Sequence, residues 1–437
     1  MLPRALARLS LLVTTLALSL PAVSASNPPA VSSSKPSTGP ARAADPAAHG
    51  FDPIRLQRLD GVIEREIAGG RLAGAVMLVK RDGEDVVLKS YGQFDREAGI
   101  PMRPDAIFRI ASMSKAVTTV AALMLYEEGR FQLNDPVGKF IPEFAKSVVA
   151  VPPPPGSPPD VKYVTVPAKR AITIRDLMTH TAGLTYGDFI AIDDYKKAKL
   201  YSWYILNNDE TIGDAMKRLA TLPLAHHPGE AFDYGYGSDL LGYFVEVISG
   251  LPLDRYVEER ICRPLQMPDT GFFLPKEKAD RLAVVYGLED GKLVREEDSK
   301  RTDFIDGPRK LFSGGAGMYS TASDYGRFLQ MLLNGGELDG ARLLSPRTVA
   351  LMHENHTGDL FKWDSKAFGL GFWVNQDPGK LGELMGQGAY GWGSAYFPQY
   401  FVDPKERLIG LLMCQLRPDG GSNLNQRFKT TIYQALK

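Results

Sequence analysis

Residues 110–115, with the sequence IASMSK, decide the fold, because they place a serine three residues ahead of a lysine in an apolar context. Side chains three residues apart lie on one face of a helix, so a helix here sets the Ser112 hydroxyl beside the Lys115 amine. An adjacent amine, or a base coupled to it, takes the hydroxyl proton and activates a serine nucleophile without histidine. Because the pattern is short and also occurs by chance, the rest of the chain decides its meaning.

The sequence after this pair predicts a helix over residues 111–128. Its buried stripe recurs at helical spacing and consists of Val117, Val120, Ala121, Met124 and Leu125, with Gly129 at the end. Ser112 and Lys115 then fall in the first turn, where free backbone N–H groups and the helix dipole favour developing negative charge. This position suits a serine nucleophile.

Hydrophobic periodicity in the rest of the chain predicts an α/β (α+β) fold. The predicted strands gather towards the two ends of the chain and are residues 74–80, 85–90, 369–374, 392–402 and 408–416. The middle of the chain has helical and loop patterns. We therefore expect one antiparallel sheet flanked by helices, in an α/β part at about 51–115 and 312–437, with a mostly helical lobe inserted at about 116–311.

The N-terminal residues carry the pattern of an export signal. Arg4 and Arg8 precede an apolar run at 11–20, and small residues follow it. We expect a signal peptide over 1–25, cleaved near Ala25, since the run is too short to span a membrane comfortably. A flexible linker rich in Ser, Pro and Ala is expected over 26–50. The mature protein is then expected in the periplasm or secreted, without stable membrane insertion.

The composition is that of an ordinary soluble globular protein, with 44% hydrophobic and 23% charged residues. Its 51 basic and 51 acidic residues cancel, so the charge predicts no nucleic-acid partner. Cys262 and Cys414 lie in apolar contexts, which favours buried free thiols and leaves a disulfide open. The six histidines include no evident ligand set, so no metal is expected. The oligomeric state stays open.

Four further segments accompany the serine–lysine pair: LMTHTAGL at 177–184, PGEAFDY at 228–234, SGGAGMYSTASDY at 313–325 and GWGS at 391–394. Together, and in this order, they resemble the serine hydrolases with the class C β-lactamase fold. That superfamily includes D,D-peptidases, D-aminopeptidases, nylon-oligomer hydrolases and family VIII carboxylesterases, and the motifs are most similar to the last of these. The resemblance covers the chain from Phe51 onward and implies catalysis without a metal or organic cofactor.

The resemblance implies that Tyr234 is the second catalytic group, a general base and acid. Tyr234 follows the Pro-Gly turn at 228–229, where the family has a Y-x-N or Y-S-x motif. A free phenol is too weak an acid to supply a base at neutral pH, but a nearby ammonium such as Lys115 favours the phenolate. Tyr236 is the alternative to Tyr234 in this role.

The third element that the resemblance implies is the strand segment Trp392, Gly393 and Ser394, where β-lactamases carry K-T-G. The backbone N–H groups of Ser112 and Ala395 are expected to form the oxyanion hole, which stabilises the charge of a tetrahedral intermediate. The substrate pocket is expected to be lined by Tyr236, Trp392, Gly393 and Ser394, and Gly393 lets the backbone approach the substrate closely.

Two departures from the β-lactamase pattern define the expected substrate. Tyr236 replaces the asparagine that holds a substrate amide, and Trp392 replaces the lysine that anchors a substrate carboxylate. Losing a polar partner from a site built around it can cost several orders of magnitude in discrimination. The sequence therefore predicts an exported serine carboxylesterase that acts on small neutral esters.

Several alternatives stay open at this point. Amide hydrolysis by a β-lactamase, D,D-peptidase or D-aminopeptidase uses the same acyl-enzyme chemistry, and so does acyl transfer to an alcohol or amine. A penicillin-recognising or scaffold protein with a dead site is disfavoured, because Ser112, Lys115 and Tyr234 are all retained. The α/β-hydrolase class is disfavoured too, since the sequence frames no serine as G-x-S-x-G.

Overall fold

The structure is a computed structural model that describes residues 43–187, 189–296, 303–361, 363 and 365–437. The predicted signal peptide and the predicted linker up to residue 42 lie outside the described residues. The folded unit begins at Ala43, before the predicted boundary at 51. The Ala44 N–H donates to the Asp85 carbonyl at 2.8 Å, and the Lys437 N–H donates to the Gly50 carbonyl at 2.9 Å. These backbone hydrogen bonds attach residues 43–50 to the fold.

The helices lie mainly in the middle of the chain and at its two ends. They are α1 Pro53–Leu56, α2 Arg58–Ala68, α3 Ser114–Glu127, α4 Ile174–Thr179, α5 Ile192–Lys197, α6 Ile212–Leu219, α7 Gly237–Ser249, α8 Leu253–Val257, α9 Ala322–Leu333, α10 Pro346–Met352, α11 Pro378–Leu381 and α12 Leu424–Tyr433. Short 3₁₀ turns cover Ala111–Met113, Val137–Lys139, Pro142–Phe144 and Lys276–Arg281, and a π-turn covers Glu258–Cys262. Within the described chain, no helix combines the length and the apolarity that a membrane crossing needs.

The strands are concentrated in the two segments that were predicted to supply the sheet. They are β1 Gly74–Arg81, β2 Glu84–Asp95, β3 Ile100–Pro101, β4 Phe108–Arg109, β5 Val148–Val151, β6 Val164–Pro167, β7 Tyr286–Glu289, β8 Lys292–Arg295, β9 Tyr319–Ser320, β10 Glu337–Leu338, β11 Ala341–Arg342, β12 Lys366–Phe368, β13 Trp373–Asn375, β14 Tyr390–Gly393, β15 Gln399–Asp403 and β16 Leu408–Cys414.

Eight of these strands form one antiparallel sheet in the order β12-β13-β14-β15-β16-β1-β2-β3. The last strand, β16, pairs with β1 in a register that sets Cys414 opposite Ala75. β2 pairs on the other side of β1 through a tight turn, where Asp82 and Gly83 have φ values of 54° and 90°. The prediction of an α/β fold with one antiparallel sheet, completed by both ends of the chain, is confirmed.

Helices cover both faces of the sheet, because alternate side chains of β1 point in opposite directions. Val76 and Leu78 face the larger core, which includes α3, α7 and α9. Ala75, Met77 and Val79 face a second core, built with α2 and α12. The arrangement is a sheet between two helical layers, and α4–α8, from the middle of the chain, pack into the larger core.

Two segments that were predicted as single strands contain turns. Residues 369–374 begin with the turn between β12 and β13, where Gly371 has a φ of 92°, and reach only the first residues of β13. Residues 392–402 are divided by the turn between β14 and β15, where Phe397 has a φ of 79°. Apolar residues continue through both turns, which is why the sequence pattern did not separate the strands. Cys262 and Cys414 are separate buried thiols, and burial raises the pKa of each.

Candidate active site

Ser112 lies in a sharp turn between β4 and α3. The helix predicted over 111–128 begins as a 3₁₀ turn at Ala111–Met113, and the α-helix starts only at Ser114. Ala111 has a φ of 35°, in the left-handed region that a residue with a side chain seldom adopts. The Ile110 N–H donates to the Met318 carbonyl at 3.0 Å, which fixes the entry to the turn. Strained backbone of this kind is concentrated at functional sites.

Lys115 is buried and brings three groups together. Its Nζ lies 3.3 Å from Ser112 Oγ, 3.3 Å from the Tyr186 hydroxyl and 2.7 Å from the Gly315 carbonyl. Because a lysine ammonium has three N–H donors, this environment offers one partner for each of them. The predicted pairing of Ser112 with Lys115 is present in the structure, at hydrogen-bond distance.

Tyr234 lies against the same amine. Lys115 Nζ is 4.6 Å from the centroid of the Tyr234 ring, and the Trp392 indole N–H donates to the Tyr234 hydroxyl at 3.2 Å. The residue after Tyr234 packs so tightly that a Cβ on Gly235 would lie 2.1 Å from the Leu184 carbonyl oxygen. Gly235 therefore lets the segment at 228–234 meet the HTAGL turn at 180–184, which carries Tyr234 to Lys115.

Tyr186 is a residue of the site that sequence reasoning missed. Besides its contact with Lys115, its ring packs edge-on against Tyr234 and Tyr236, with centroid distances of 5.8 Å and 4.8 Å. Burial raises the pKa of Tyr186 well above its usual range, so its hydroxyl stays protonated. The available signal was its position two residues beyond the LMTHTAGL motif, which ends at Leu184.

Tyr236 does not line an open pocket, in contrast to the prediction. Its side chain is 0% exposed, and its hydroxyl donates to the Ser202 carbonyl at 2.8 Å. Its ring packs against Tyr186 inside the protein. Tyr236 lies at the start of α7, where its side chain packs into the larger core.

The strand element lies opposite Lys115. Trp392 is in β14, and its ring contacts Tyr234, Phe368 and Trp363, with centroid distances of 5.6 Å, 5.2 Å and 6.3 Å. Gly393 ends the strand, and Ser394 begins the turn into β15, with its Oγ accepting from the Tyr396 N–H at 3.2 Å. The structure thus brings Trp392, and through it the end of β14, to Tyr234.

The two residues expected to form the oxyanion hole belong to neighbouring segments. Ala395 packs into a small apolar cluster with Ala111, the residue before the nucleophile. The end of β14 therefore lies beside the turn that carries Ser112, as a shared oxyanion hole requires.

His180 lies beneath Tyr234 as an uncharged aromatic residue. Its ring contacts Phe232, Tyr234 and Phe368 at centroid distances of 5.7 Å, 4.7 Å and 5.6 Å. Burial, followed by the charge of Lys115, lowers the pKa of His180 well below its ordinary value. Among the described residues, neither ring nitrogen has a hydrogen-bond partner. His180 therefore contributes packing to the site.

The described residues contain no group of three His, Cys, Asp or Glu side chains that is arranged to hold a metal ion. The groups assembled at Ser112 are a hydroxyl, an amine, two phenols and an indole. Such a set is suited to moving a proton between an alcohol oxygen and a nitrogen or phenol base, next to a nucleophile.

Comparison with known proteins agrees with this geometry. The family model described as Beta-lactamase matches residues 59–430. An uncharacterised protein of Mycobacterium tuberculosis is 38% identical over 372 residues, which are 81% of this chain and 89% of the relative. Esterase EstB of Burkholderia gladioli is 32% identical over 401 residues, which are 87% of this chain and 96% of the relative.

A solved structure described as EstCE1, a hydrolase with promiscuous acyltransferase activity, has the same fold. It superimposes with a TM-score of 0.76 at 26% identity and covers 87% of this chain and 99% of its own. The similarity therefore extends over most of the chain.

Proposed function

This chain belongs to the beta-lactamase family, and from that premise we propose that it is an exported carboxylesterase that works through Ser112, Lys115 and Tyr234. Serine hydrolase activity is supported by its relatives, which include Esterase EstB. The finer proposal is that the substrates are small neutral esters and that the mature protein acts in the periplasm or outside the cell.

The observation that carries the proposal is the position of Lys115. A buried amine 3.3 Å from Ser112 Oγ, with its other contacts made to a carbonyl and a phenol, is placed to exchange a proton with the nucleophile. Tyr234 lies on the same amine and is the second carrier for that proton. His180 is not connected to the nucleophile, because neither of its ring nitrogens has a hydrogen-bond partner among the described residues.

The reaction proceeds in two halves through an acyl-enzyme. Ser112 Oγ attacks the ester carbonyl and passes its proton to the Lys115–Tyr234 pair, while the backbone N–H groups of Ser112 and Ala395 stabilise the oxyanion. When the intermediate collapses, the carbon–alkoxy bond breaks and the pair returns the proton to the leaving alcohol. Water then gives a proton to the pair, attacks the acyl carbon and releases the acid, and Ser112 recovers its hydrogen.

The choice of esters over β-lactams or peptides rests on what faces Ser112. The strand offers the indole of Trp392 where a cation would hold a substrate carboxylate. Tyr236 occupies the sequence position where an asparagine would hold an amide, but it is buried and donates its hydroxyl to the Ser202 carbonyl, so this position offers no group that holds an amide. An uncharged acyl group therefore meets aromatic surface without leaving a charged anchor unpaired.

The test compares substrates and one variant. The wild-type protein is expected to hydrolyse p-nitrophenyl acetate and butyrate far faster than nitrocefin or a D-Ala-D-Ala peptide, and Ser112→Ala is expected to abolish ester turnover while keeping the circular dichroism spectrum. Ser114→Ala is the control, because Ser114 Oγ accepts from the Met318 N–H at 3.1 Å and serves packing. Retained turnover in Ser112→Ala would refute the assignment of the nucleophile, and faster nitrocefin turnover would refute the ester preference.

Acyl transfer is a second outcome of the same acyl-enzyme. The solved relative EstCE1 is described as a hydrolase with promiscuous acyltransferase activity. Product analysis with a vinyl ester donor and an added alcohol separates transfer from hydrolysis, because only transfer yields a new ester.

A further inference from the structure

A fully buried carboxylate lies behind Lys115. Asp239, in the first turn of α7, is 0% exposed. Its Oδ1 accepts from the Ser313 hydroxyl and from the Gly315 N–H, the latter at 3.2 Å. Within the described residues, Oδ2 has no hydrogen-bond donor. A buried carboxylate with one oxygen unpaired is costly, and such groups are retained mainly where they serve a site.

The Asp239 carboxylate is connected to Lys115 through one residue. Gly315 donates its N–H to Asp239, and its carbonyl accepts from Lys115 Nζ at 2.7 Å. Ser313 closes the turn, because its Oγ accepts from the Ala316 N–H at 3.1 Å while its hydroxyl donates to Asp239. The acceptor that holds the amine in place is thus itself held by Asp239.

The two glycines of this turn are required by its closeness to α7. A Cβ on Gly315 would lie 2.6 Å from Asp239 Oδ2, and a Cβ on Gly314 would lie 2.5 Å from the Ser238 carbonyl oxygen. Both distances are far inside van der Waals contact. The SGG sequence at 313–315 therefore allows the turn to approach the carboxylate, which gives this motif a role at the site.

Charge reinforces the geometry. Burial raises the pKa of Asp239 above its ordinary value, and the Ser313 hydrogen bond and the positive charge of Lys115 oppose that rise. The phenols of Tyr186 and Tyr236 also face this carboxylate, and burial raises the pKa of both, so they stay uncharged. The positive charge of Lys115 therefore favours the charged form of Asp239.

On the far side of Lys115 the neighbours carry no fixed charge. Tyr234 lies with its ring face towards the amine, and His180 beneath it is neutral because burial lowers its pKa. Removal of the Asp239 charge is thus expected to alter the electrostatics of the amine more than any single change on that side.

We propose that Asp239 is a positioning residue for the acylation step, which holds Lys115 against Ser112 through the Gly315 carbonyl and balances its charge. The inference rests on the proposed function, because acylation of Ser112 is the step that it serves. Asp239 touches no reacting atom, so its effect passes entirely through Lys115.

The test measures how fast a fluorophosphonate probe labels Ser112 across pH 5–10. Asp239→Asn is expected to slow labelling by about 10- to 100-fold and to move the acid limb of the profile to lower pH by about 1 unit. The direction follows because a buried negative charge favours the protonated form of a base close to it, and Asp239→Asn removes that charge. A profile that keeps the wild-type midpoint would overturn the proposal, whatever the rate.

Two control variants separate charge, anchoring and burial. Ser313→Ala leaves the carboxyl group in place and removes one hydrogen bond that favours its charged form, so it is expected to slow labelling a few-fold with a smaller shift of the profile than Asp239→Asn gives. Asp324→Asn removes another buried carboxylate. Asp324 lies in the first turn of α9 and accepts hydrogen bonds from the Asp269 N–H and the Thr270 hydroxyl. Asp324→Asn is expected to lower the melting temperature and to leave the profile unchanged, and an equal shift in this variant would also overturn the proposal.

Gly315→Ala gives a second route if Asp239→Asn does not fold. The added methyl group forces the turn away from the carboxylate, so labelling is expected to slow at least 10-fold although the Asp239 charge is still present. Wild-type labelling in Gly315→Ala would refute the proposal. Labelling does not require ester turnover, so a labelled wild type that cleaves no ester refutes the proposed function alone, whereas an unlabelled wild type refutes both.

Discussion

The residues around Ser112 form two groups, the lysine wall and the tryptophan wall, which differ in the kind of contact that joins their members. In the lysine wall (Ser112, Lys115, Tyr186, Gly315 and Asp239), Lys115 makes contacts of 2.7–3.3 Å with a carbonyl, a hydroxyl and a phenol. In the tryptophan wall (Tyr234, Trp392, Phe368, Tyr390 and His353), stacked and edge-on rings meet at centroid distances of 4.2–5.6 Å. A single hydrogen bond, from Trp392 to Tyr234, is described within it.

The two kinds of contact are expected to affect different kinetic properties, the catalytic rate and the substrate preference. Directional hydrogen bonds to a buried amine lose their value within a few tenths of an ångström, so the lysine wall tolerates little change. Aromatic contacts are broad and less directional, so the tryptophan wall tolerates substitutions that preserve volume. We therefore expect changes in the lysine wall, and at Tyr234, which carries the proton together with Lys115, to lower kcat. Changes at the other residues of the tryptophan wall are expected to alter KM, substrate preference or stability.

The largest effect is expected from Lys115→Met, which keeps the volume of the side chain and removes its nitrogen. Because Ser112 and Gly315 both lose their partner, kcat/KM for p-nitrophenyl butyrate is expected to fall by about 10⁴-fold. Lys139→Met is the control, since Lys139 is an exposed lysine paired with Asp135 at 3.1 Å. A loss of less than 10-fold in Lys115→Met would contradict the role given to the lysine wall.

The next effect compares the two phenols that contact Lys115. Tyr234→Phe is expected to lower kcat by about 10³-fold, as the loss of a general acid and base does. Tyr186→Phe removes one hydrogen bond to the amine and is expected to lower kcat only about 10-fold. The two variants are measured on the same ester. Equal losses would show that Tyr186 shares the chemistry with Tyr234, and a larger loss in Tyr186→Phe would exchange their roles.

The third prediction concerns stability behind the tryptophan wall. His353 stacks on Tyr390 of β14 at a centroid distance of 4.2 Å, and burial lowers the pKa of His353 from 6.5 to about 4. Between pH 6.5 and about pH 4, His353 is protonated in the unfolded chain and neutral in the folded protein. Lowering the pH through this range therefore stabilises the unfolded chain and lowers the free energy of unfolding. From pH 6.5 to pH 5 the free energy of unfolding is expected to fall by about 2 kcal/mol through His353.

His353→Phe keeps the stack and cannot titrate, so it isolates this contribution. Urea unfolding at pH 7.5 and pH 5.0 is expected to show a smaller loss of stability in the variant than in the wild type. Part of the loss remains, because His180 is also buried and its pKa is also lowered. An identical loss in both proteins would mean that the ring packed behind β14 is already protonated or exposed.

The smallest effect is expected from Trp392→Phe, which keeps an aromatic ring and removes the N–H that donates to Tyr234. The loss of one neutral hydrogen bond is expected to raise KM for short esters about 5-fold with little change in kcat. Steady-state kinetics across acetyl, butyryl and hexanoyl esters makes the measurement. A fall in kcat with an unchanged KM would show that Trp392 affects the catalytic step, which would contradict the distinction drawn between the two walls.

The walls also differ in how far the sequence predicted them. The spacing of Ser112 and Lys115 is local, and the structure has the pair in contact; the single antiparallel sheet was confirmed as well. Tyr186 was missed because its contact with Lys115 is made by a turn, where no periodicity tells which side chain points inward. Asp239 was missed for another reason: an acidic residue in the first turn of a helix is common for purely local reasons.

Tyr236 shows the opposite failure, since a functional role was expected and the structure gives a packing one. The residue before it, Gly235, approaches the Leu184 carbonyl so closely that no side chain fits there. A contact between segments 51 residues apart in the sequence (184 and 235) cannot be read from either segment alone. For the same reason, residues 392–402 were predicted as one strand, although they contain the end of β14, a turn and most of β15.

The order of strands in the sheet has a consequence for synthesis. β1 is made early, yet one of its two neighbours is β16, which ends at Cys414 and is therefore among the last segments to leave the ribosome. Until then the apolar β1–β2 hairpin keeps an unpaired edge, and such edges recruit other chains. We therefore expect folding to be slow and to require the completed chain. A chain truncated before β16 is expected to aggregate, and its Ser112 and Lys115 are then not part of an assembled active site.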